Sequence, residues 1–300
     1  MDGDDQLAFL TAMPRSLAAV AILLVLSVGG CTSLFFHPSP DMVRTPDHVG
    51  LDYRKVWFRS DDDTLLHGWF LPSQKQPATA TVVFLHGNAE NISTHLGHVW
   101  WLPSEGFNLF LFDYRGFGLS KGNPTLDGVH RDARAALDAA SHLDGVDRER
   151  MIVLGHSLGG SIATVAALQW REQNRLRALI IEGAFAGYRR IAREKLAQVW
   201  LTWPLQVPLS ITIDDTYRPI DAIAGFSPVP VLVIHGSEDS VVSPAHGRDL
   251  YDAAREPKDL WLVRGAGHFD VFSDPVVRRR LVDYMRAVVI EDRIPQEEWK

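Results

Sequence analysis

Three residues that together can split an acyl bond stand in this chain where one site could gather them. Ser157 lies in Gly155-His156-Ser157-Leu158-Gly159, a G-x-S-x-G pentapeptide. Apolar Met151–Leu154 precede it, and the small, apolar run Ser161–Leu168 follows. The first run reads as a short buried strand and the second as a helix. The serine then sits on a sharp strand-to-helix turn, where the two glycines let neighbouring elements close up and leave the hydroxyl exposed at a helix N-terminus. A serine hydroxyl is a weak nucleophile at neutral pH. It needs a base to take its proton and a carboxylate to hold that base in the right tautomer.

The candidate base is His268, in Arg264-Gly265-Ala266-Gly267-His268-Phe269, a loop that two glycines free to bring the ring over the site. His86, His156 and His235 also lie near strand ends, but each is tied to a glycine turn or to the serine itself. The candidate carboxylate is Asp239, in His235-Gly236-Ser237-Glu238-Asp239, with Glu238 and the more distant Glu182 as rivals. Asp270 is too close to His268 in sequence and reads as a loop brace. The oxyanion formed on attack needs backbone donors already in place. The Leu158 amide is one. The second is expected from His86-Gly87-Asn88, at Asn88 with Ala89 as the alternative, and His86 itself reads as a turn brace.

The elements that must carry these residues follow from the apolar pattern. Strands are expected at 53–59, 65–71, 81–85, 108–112, 151–154, 178–181, 229–234 and 260–263. Helices are expected at 92–102, 127–143, 161–168, 244–255 and 275–289. From residue 81 strand and helix alternate, which predicts an α/β fold with a mostly parallel sheet and helices on both faces. Its sites form at the carboxyl ends of strands, where all three candidates fall. The alternation breaks over 184–226, read as a short cap insert. Residues 51–290 make the domain, 32–50 with three prolines read as a tether, and 291–300 as a polar tail. The triple aspartate Asp61-Asp62-Asp63 reads as a solvated hairpin turn.

The composition is that of a globular protein, 46% hydrophobic and 22% charged. A net charge of −7 without a basic run argues against a nucleic-acid partner. Cys31 is the one cysteine, which rules out an intrachain disulfide and any multi-cysteine metal site. No metal or organic cofactor is called for. Leu17–Val28 is twelve uncharged, mostly apolar residues, short for a bilayer span but suited to the core of a signal peptide. Val28-Gly29-Gly30-Cys31 resembles a bacterial lipobox, whose cysteine is lipidated and becomes the mature N-terminus. Residues 1–31 are therefore read as signal and lipobox. The aspartates among residues 1–5 suit a signal leader poorly, so translation is expected to start at Met13. Thr32 leans the sorting towards the outer membrane. The alternative is an uncleaved N-terminal anchor.

Taken together, Ser157…Asp239…His268 with HGNAEN, FDYRGFGLSKG, GHSLGG, VLVIHGSEDSVVSP and GAGHFD resembles the α/β-hydrolase superfamily, in particular its abhydrolase-domain and serine-aminopeptidase-like members. The resemblance spans about 51–290. It implies a sheet of about eight strands and a structural role for Asp113 and Arg115. The expected function is an exported, lipid-anchored serine hydrolase of the cell envelope that cleaves small-molecule or lipid-like carboxylic esters through an acyl-enzyme. The alternatives are an amide or peptide hydrolase, with Glu194, Asp214 or Asp215 holding a free amine, and a non-catalytic envelope lipoprotein. Trp200, Trp203 and Leu205 read either as an acyl pocket or as cap core. Acyl length and oligomeric state are left open.

Overall fold

The computed structural model describes residues 36–171 and 176–290. Leu17–Val28, Cys31 and the 291–300 tail lie outside the described residues. The strands are β1 (His37–Pro38), β2 (Arg54–Arg59), β3 (Leu65–Leu71), β4 (Ala80–Leu85), β5 (Ala89–Glu90), β6 (Phe107–Asp113), β7 (Met151–His156), β8 (Leu176–Glu182), β9 (Val231–Gly236) and β10 (Lys258–Val263). The helices are α1 (Ile92–Val99), α2 (Leu126–Ser141), α3 (Leu158–Arg171), α4 (Tyr188–Gln198), α5 (Gln206–Ile211), α6 (Pro219–Ala222), α7 (Pro244–Ala253) and α8 (Pro275–Ile290).

Eight strands form one sheet in the order β10-β9-β8-β7-β4-β6-β3-β2. β2 and β3 enter as an antiparallel hairpin, β3 pairs antiparallel with β6, and the remaining neighbours are parallel. The central strands are apolar runs because both of their faces are covered. Along β4, Val83 and Leu85 enter one core while Val82 and Phe84 enter the other, the two-residue alternation of a strand. The first core packs α2 and α3 on the sheet, and the second packs α1 and α8. The Asn91 and Thr125 side chains accept backbone N–H groups in the first turns of α1 and α2, which fixes where those helices start.

Two expectations need correction. The stretch read as a tether is docked from Phe36 onward. Phe36 is buried, edge-on to Phe117 at 6.4 Å. The His37 N–H donates to the Asn88 carbonyl (3.3 Å), and the Ser39 N–H to that of Glu90 (3.2 Å). The Asn91 amide donates to the Ser39 and Asp41 carbonyls, and the Val43 N–H to Ser93 Oγ at 2.9 Å. Pro38 and Pro40 alternate with the donating residues, so the groups that lack N–H fall where an edge strand needs none. Prolines that suggest a free linker thus mark a strap.

The aspartate turn is also more than solvated. Asp62 pairs with Arg115 at 2.8 Å, and Asp61 with Arg131 at 3.4 Å. The Arg115 guanidinium also binds the buried Asp132 at 2.8 Å. It crosses α2 at Gly128, where a Cβ would lie 2.6 Å from the Arg115 side chain, so this helical glycine makes room for the ion pair. Asp113 accepts the Ile92 N–H at 2.8 Å and ties β6 to the start of α1.

The break in alternation after β8 holds α4, a 3-10 turn at Trp203–Leu205, α5 and α6. Its ends belong to the core: Ala184, Phe185, Ala186 and Tyr188 are buried, as are Ile223 and Phe226. Its middle is exposed, including Trp200 and Trp203.

Candidate active site

β7 ends at His156, and Ser157 turns the chain into α3 with φ +54°. That left-handed conformation is costly for a residue with a Cβ and survives only where its surroundings enforce it. Here the Ser157 N–H donates to the Glu182 carbonyl at 2.8 Å, an extension of the β7–β8 ladder. Gly159 lets α3 press against the loop after β4: a Cβ there would lie 2.1 Å from the Leu85 carbonyl oxygen.

The Ser157 hydroxyl lies 2.9 Å from His268 Nε2, and His268 Nδ1 lies 2.7 Å from Asp239 Oδ2. All three residues are buried. The Asp239 Oδ1 accepts the Val241 and Val242 N–H groups at 2.8 Å each. Burial alone would raise this carboxyl, but hydrogen bonds from His235 and His268 outweigh it and hold Asp239 well below the usual carboxylate range. An ionised Asp239 fixes the His268 proton on Nδ1, so Nε2 is the atom left to accept from Ser157. The three elements meet because β7, β9 and β10 all deliver their loops at one end of the sheet.

The rivals go elsewhere. Glu182 is buried and bonds His156 Nδ1, while Glu238 and Asp270 are exposed. Burial pushes the Glu182 carboxyl up to about 8 and holds the His156 imidazole well below its ordinary value. Burial therefore favours the uncharged form of each partner. His86, His95 and His156 form a stack of rings that reaches His268, with centroids 5.2 Å (His86–His95), 5.9 Å (His95–His156) and 4.9 Å (His156–His268) apart. His98 lies 4.5 Å from His156, and burial lowers it to about 2. The wall behind the candidate base is therefore uncharged and does not repel an imidazolium.

Leu158 opens α3, and Asn88 lies between β4 and β5. The tight fit at Gly159 presses the start of α3 against the Leu85 and His86 carbonyls, just before Asn88, and the strap's bond to the Asn88 carbonyl braces that loop. The Ala89 carbonyl binds His95 Nε2 at 2.9 Å. His86 Nδ1 bonds the adjacent Gly87 carbonyl at 2.8 Å, within its own turn.

Sequence reasoning missed three supports: the strap, the His156–Glu182 pair, and His235, whose Nε2 donates to the Val242 carbonyl at 2.9 Å and stands 3.2 Å from Asp239. A histidine four residues before the candidate acid was a legible signal for the last. The acids weighed for an amine site are engaged within the protein. Glu194 binds His246 at 2.9 Å and Arg190 at 3.1 Å, Asp215 accepts the Arg189 N–H at 3.0 Å, and Asp214 binds Thr216. Trp200 and Trp203, weighed as acyl pocket or cap core, face solvent instead. Among the described residues no His, Cys, Asp or Glu group is arranged to hold a metal ion.

The family model described as "Serine aminopeptidase, S33" matches residues 76–216. The Escherichia coli K12 protein YfhR, itself described as uncharacterized, is 38% identical over 263 residues, 85% of this chain and 87% of YfhR. The Arabidopsis thaliana α/β-hydrolase domain-containing protein WAV2 is 33% identical over 76% of each chain. Among solved structures, the Pyrococcus furiosus esterase Pf2001 superposes with a TM-score of 0.68 at 20% identity, over 85% of this chain and 97% of that one.

Proposed function

This chain belongs to the α/β-hydrolase superfamily, and from that premise we propose that it is a serine hydrolase cleaving carboxylic esters through an acyl-enzyme. The observation that carries this reading is the single hydrogen-bonded line from Ser157 Oγ through His268 to Asp239. His268 Nε2 takes the hydroxyl proton as Ser157 Oγ attacks the acyl carbon. Asp239 steadies the resulting imidazolium. The Asn88 and Leu158 amides hold the oxyanion. Collapse of the tetrahedral species breaks the ester C–O bond, and the departing alcohol takes the proton from His268. A water then gives its proton to the same nitrogen and attacks the acyl-enzyme, which releases the acid and restores Ser157. No metal or organic cofactor takes part.

Esters are favoured over amides because Glu194, Asp214 and Asp215 are already engaged by neighbouring groups and offer no evident seat for a substrate amine. The esterase among the fold's solved relatives is consistent with that preference. The enzyme is placed in the bacterial envelope, exported by Leu17–Val28 and lipid-anchored at Cys31, on the sequence pattern alone. The test is hydrolysis of short-chain p-nitrophenyl esters together with fluorophosphonate labelling. Wild type should do both and Ser157→Ala neither. Wild-type protein inert to both reagents would overturn the reading.

A further inference from the structure

The end of the molecule that carries Ser157 bears a group of exposed apolar side chains. The cap turn between α4 and α5 exposes Val199, Trp200 (85%), Leu201 (66%) and Trp203, and α5 adds Ile211. Phe269, next to His268, is 58% exposed, and Val241 of the Asp239 loop and Val43 of the strap are also exposed. The cap, Val241 and Phe269 lie on segments that follow the carboxyl ends of β8, β9 and β10, and Val43 is tied to Ser93 at the start of α1. The cap and the strap flank the site, since β8 and β4 lie on either side of β7. Apolar side chains gathered at one end mark a contact surface, and tryptophan favours the headgroup level of a bilayer, where its ring is half apolar and half polar.

Two further observations identify the occupant. Cys31, the residue read as lipidated, lies five residues before Phe36, so even fully extended chain separates the two by no more than about 18 Å. Phe36 docks beside Phe117, in the loop after β6, at this same end. The chain therefore leaves the domain on the active-site side. Next to the exposed tryptophans, α4 carries Arg189, Arg190, Arg193 and Lys195; Arg190 is paired with Glu194 and Asp249, and the other three add positive charge suited to anionic headgroups.

We propose that the active-site end rests on a lipid bilayer, with Trp200, Leu201 and Trp203 seated among the headgroups, and that the substrate is an acyl ester drawn from that bilayer. This rests on the reading of Cys31 as a lipid anchor. It adds that the anchor does more than confine the enzyme: together with the cap it fixes which face meets the lipid.

The test uses the full chain in liposomes of phosphatidylethanolamine and phosphatidylglycerol, with an environment-sensitive fluorophore on Leu201→Cys or, at the opposite end of the sheet, on Arg148→Cys. Unsubstituted protein reports any labelling at Cys31. The label at 201 should shift to the blue and be quenched by bromine-substituted acyl chains, whereas the label at 148 should stay water-like. Trp200→Ser with Leu201→Ser should lower hydrolysis of a long-chain ester embedded in the vesicles by on the order of 10-fold or more, with turnover of soluble p-nitrophenyl butyrate unchanged. A water-like label at 201 on protein that resists carbonate extraction would overturn the docking while leaving the anchor intact. Protein released by carbonate would overturn the anchor reading and the proposal with it. A blue shift that needs no lipid and grows with protein concentration would assign the patch to a second copy, or to a protein partner if it needs an added lysate, and would equally overturn the proposal.

Discussion

The turn at Ser157 and the cap at 184–226 lie at the same end of the sheet and are built on opposite terms. Around Ser157 the neighbours are strand ends, the first turn of α3 and the loop of His268 after β10, and each side-chain polar atom of Ser157, His268 and Asp239 has a partner. The cap packs Ile213 and Ile220 on the core and meets the rest of the molecule at its rim through charged pairs, Arg190 with Asp249 and Glu194 with His246, and through Tyr217, which bonds Asp127 and stacks on His130 at 4.1 Å. Groups that must act within tenths of an ångström are mounted on the sheet. Groups that meet a variable substrate are mounted on a short excursion from it.

That contrast can be broken at the centre first. Asp239→Asn keeps the shape but no longer enforces the Nδ1 proton on His268, and kcat should fall about 10⁴-fold with KM little changed, measured by steady-state ester hydrolysis. A loss under tenfold would show that another group orients the histidine. Gly159→Ala forces a Cβ to within 2.1 Å of the Leu85 carbonyl oxygen. It should lower unfolding stability by about 3 kcal/mol or more, because backbone must move on both sides. Chemical denaturation checks this, and an unshifted midpoint would mean the turn is looser than described.

The buried Glu182 gives a pH signature. Its carboxyl rises from an ordinary 4.5 to about 8 in the folded protein, burial being the cause. Between those values the native state holds a proton that the unfolded chain has released, so this group makes stability fall as pH rises from about 4.5 to 8. Glu182→Gln keeps a donor towards His156 and removes the titration. Its melting temperature should move closer to or above that of wild type as pH climbs through this window, and a constant gap from pH 5 to 8 would refute the assignment. The smallest effect belongs to the cap rim. Arg190→Ala removes half-exposed pairs and should cost less than about 1 kcal/mol in the same denaturation assay, leaving turnover of short soluble esters within about twofold. A large loss there would mean that the cap is part of the rigid centre.

The same contrast explains what was legible in the sequence. The strands could be read because burial on both faces forces continuous apolar runs such as TVVFL and MIVLG. The Ser157 turn could be read because close packing demands glycines at fixed offsets. Asp239 and His268 follow from those two facts and from where strand ends must lie. The cap has no such constraint: Trp200 and Trp203 are as apolar as any core residue, and composition cannot tell a buried tryptophan from one facing outward. The strap was hidden for a related reason. Its prolines signal the absence of N–H donors, and a loose linker and an edge strand with every second amide missing look alike on that criterion. His156 and Glu182 were each visible, but nothing in their spacing says that a β7 residue and a β8 residue are to share a buried proton.

The strap has a mechanical consequence. Among the described residues, Phe36 and the backbone bonds of 37–39 to the loop of Asn88 are where the chain first joins the domain. Any load on the preceding residues is therefore borne by Phe36 and the backbone bonds that hold the loop proposed to bind the oxyanion. A chain trimmed back to Leu51, where the hydrophobic pattern begins, would keep Ser157, His268 and Asp239 and lose the clamp on the loop that is proposed to hold their electrophile in register.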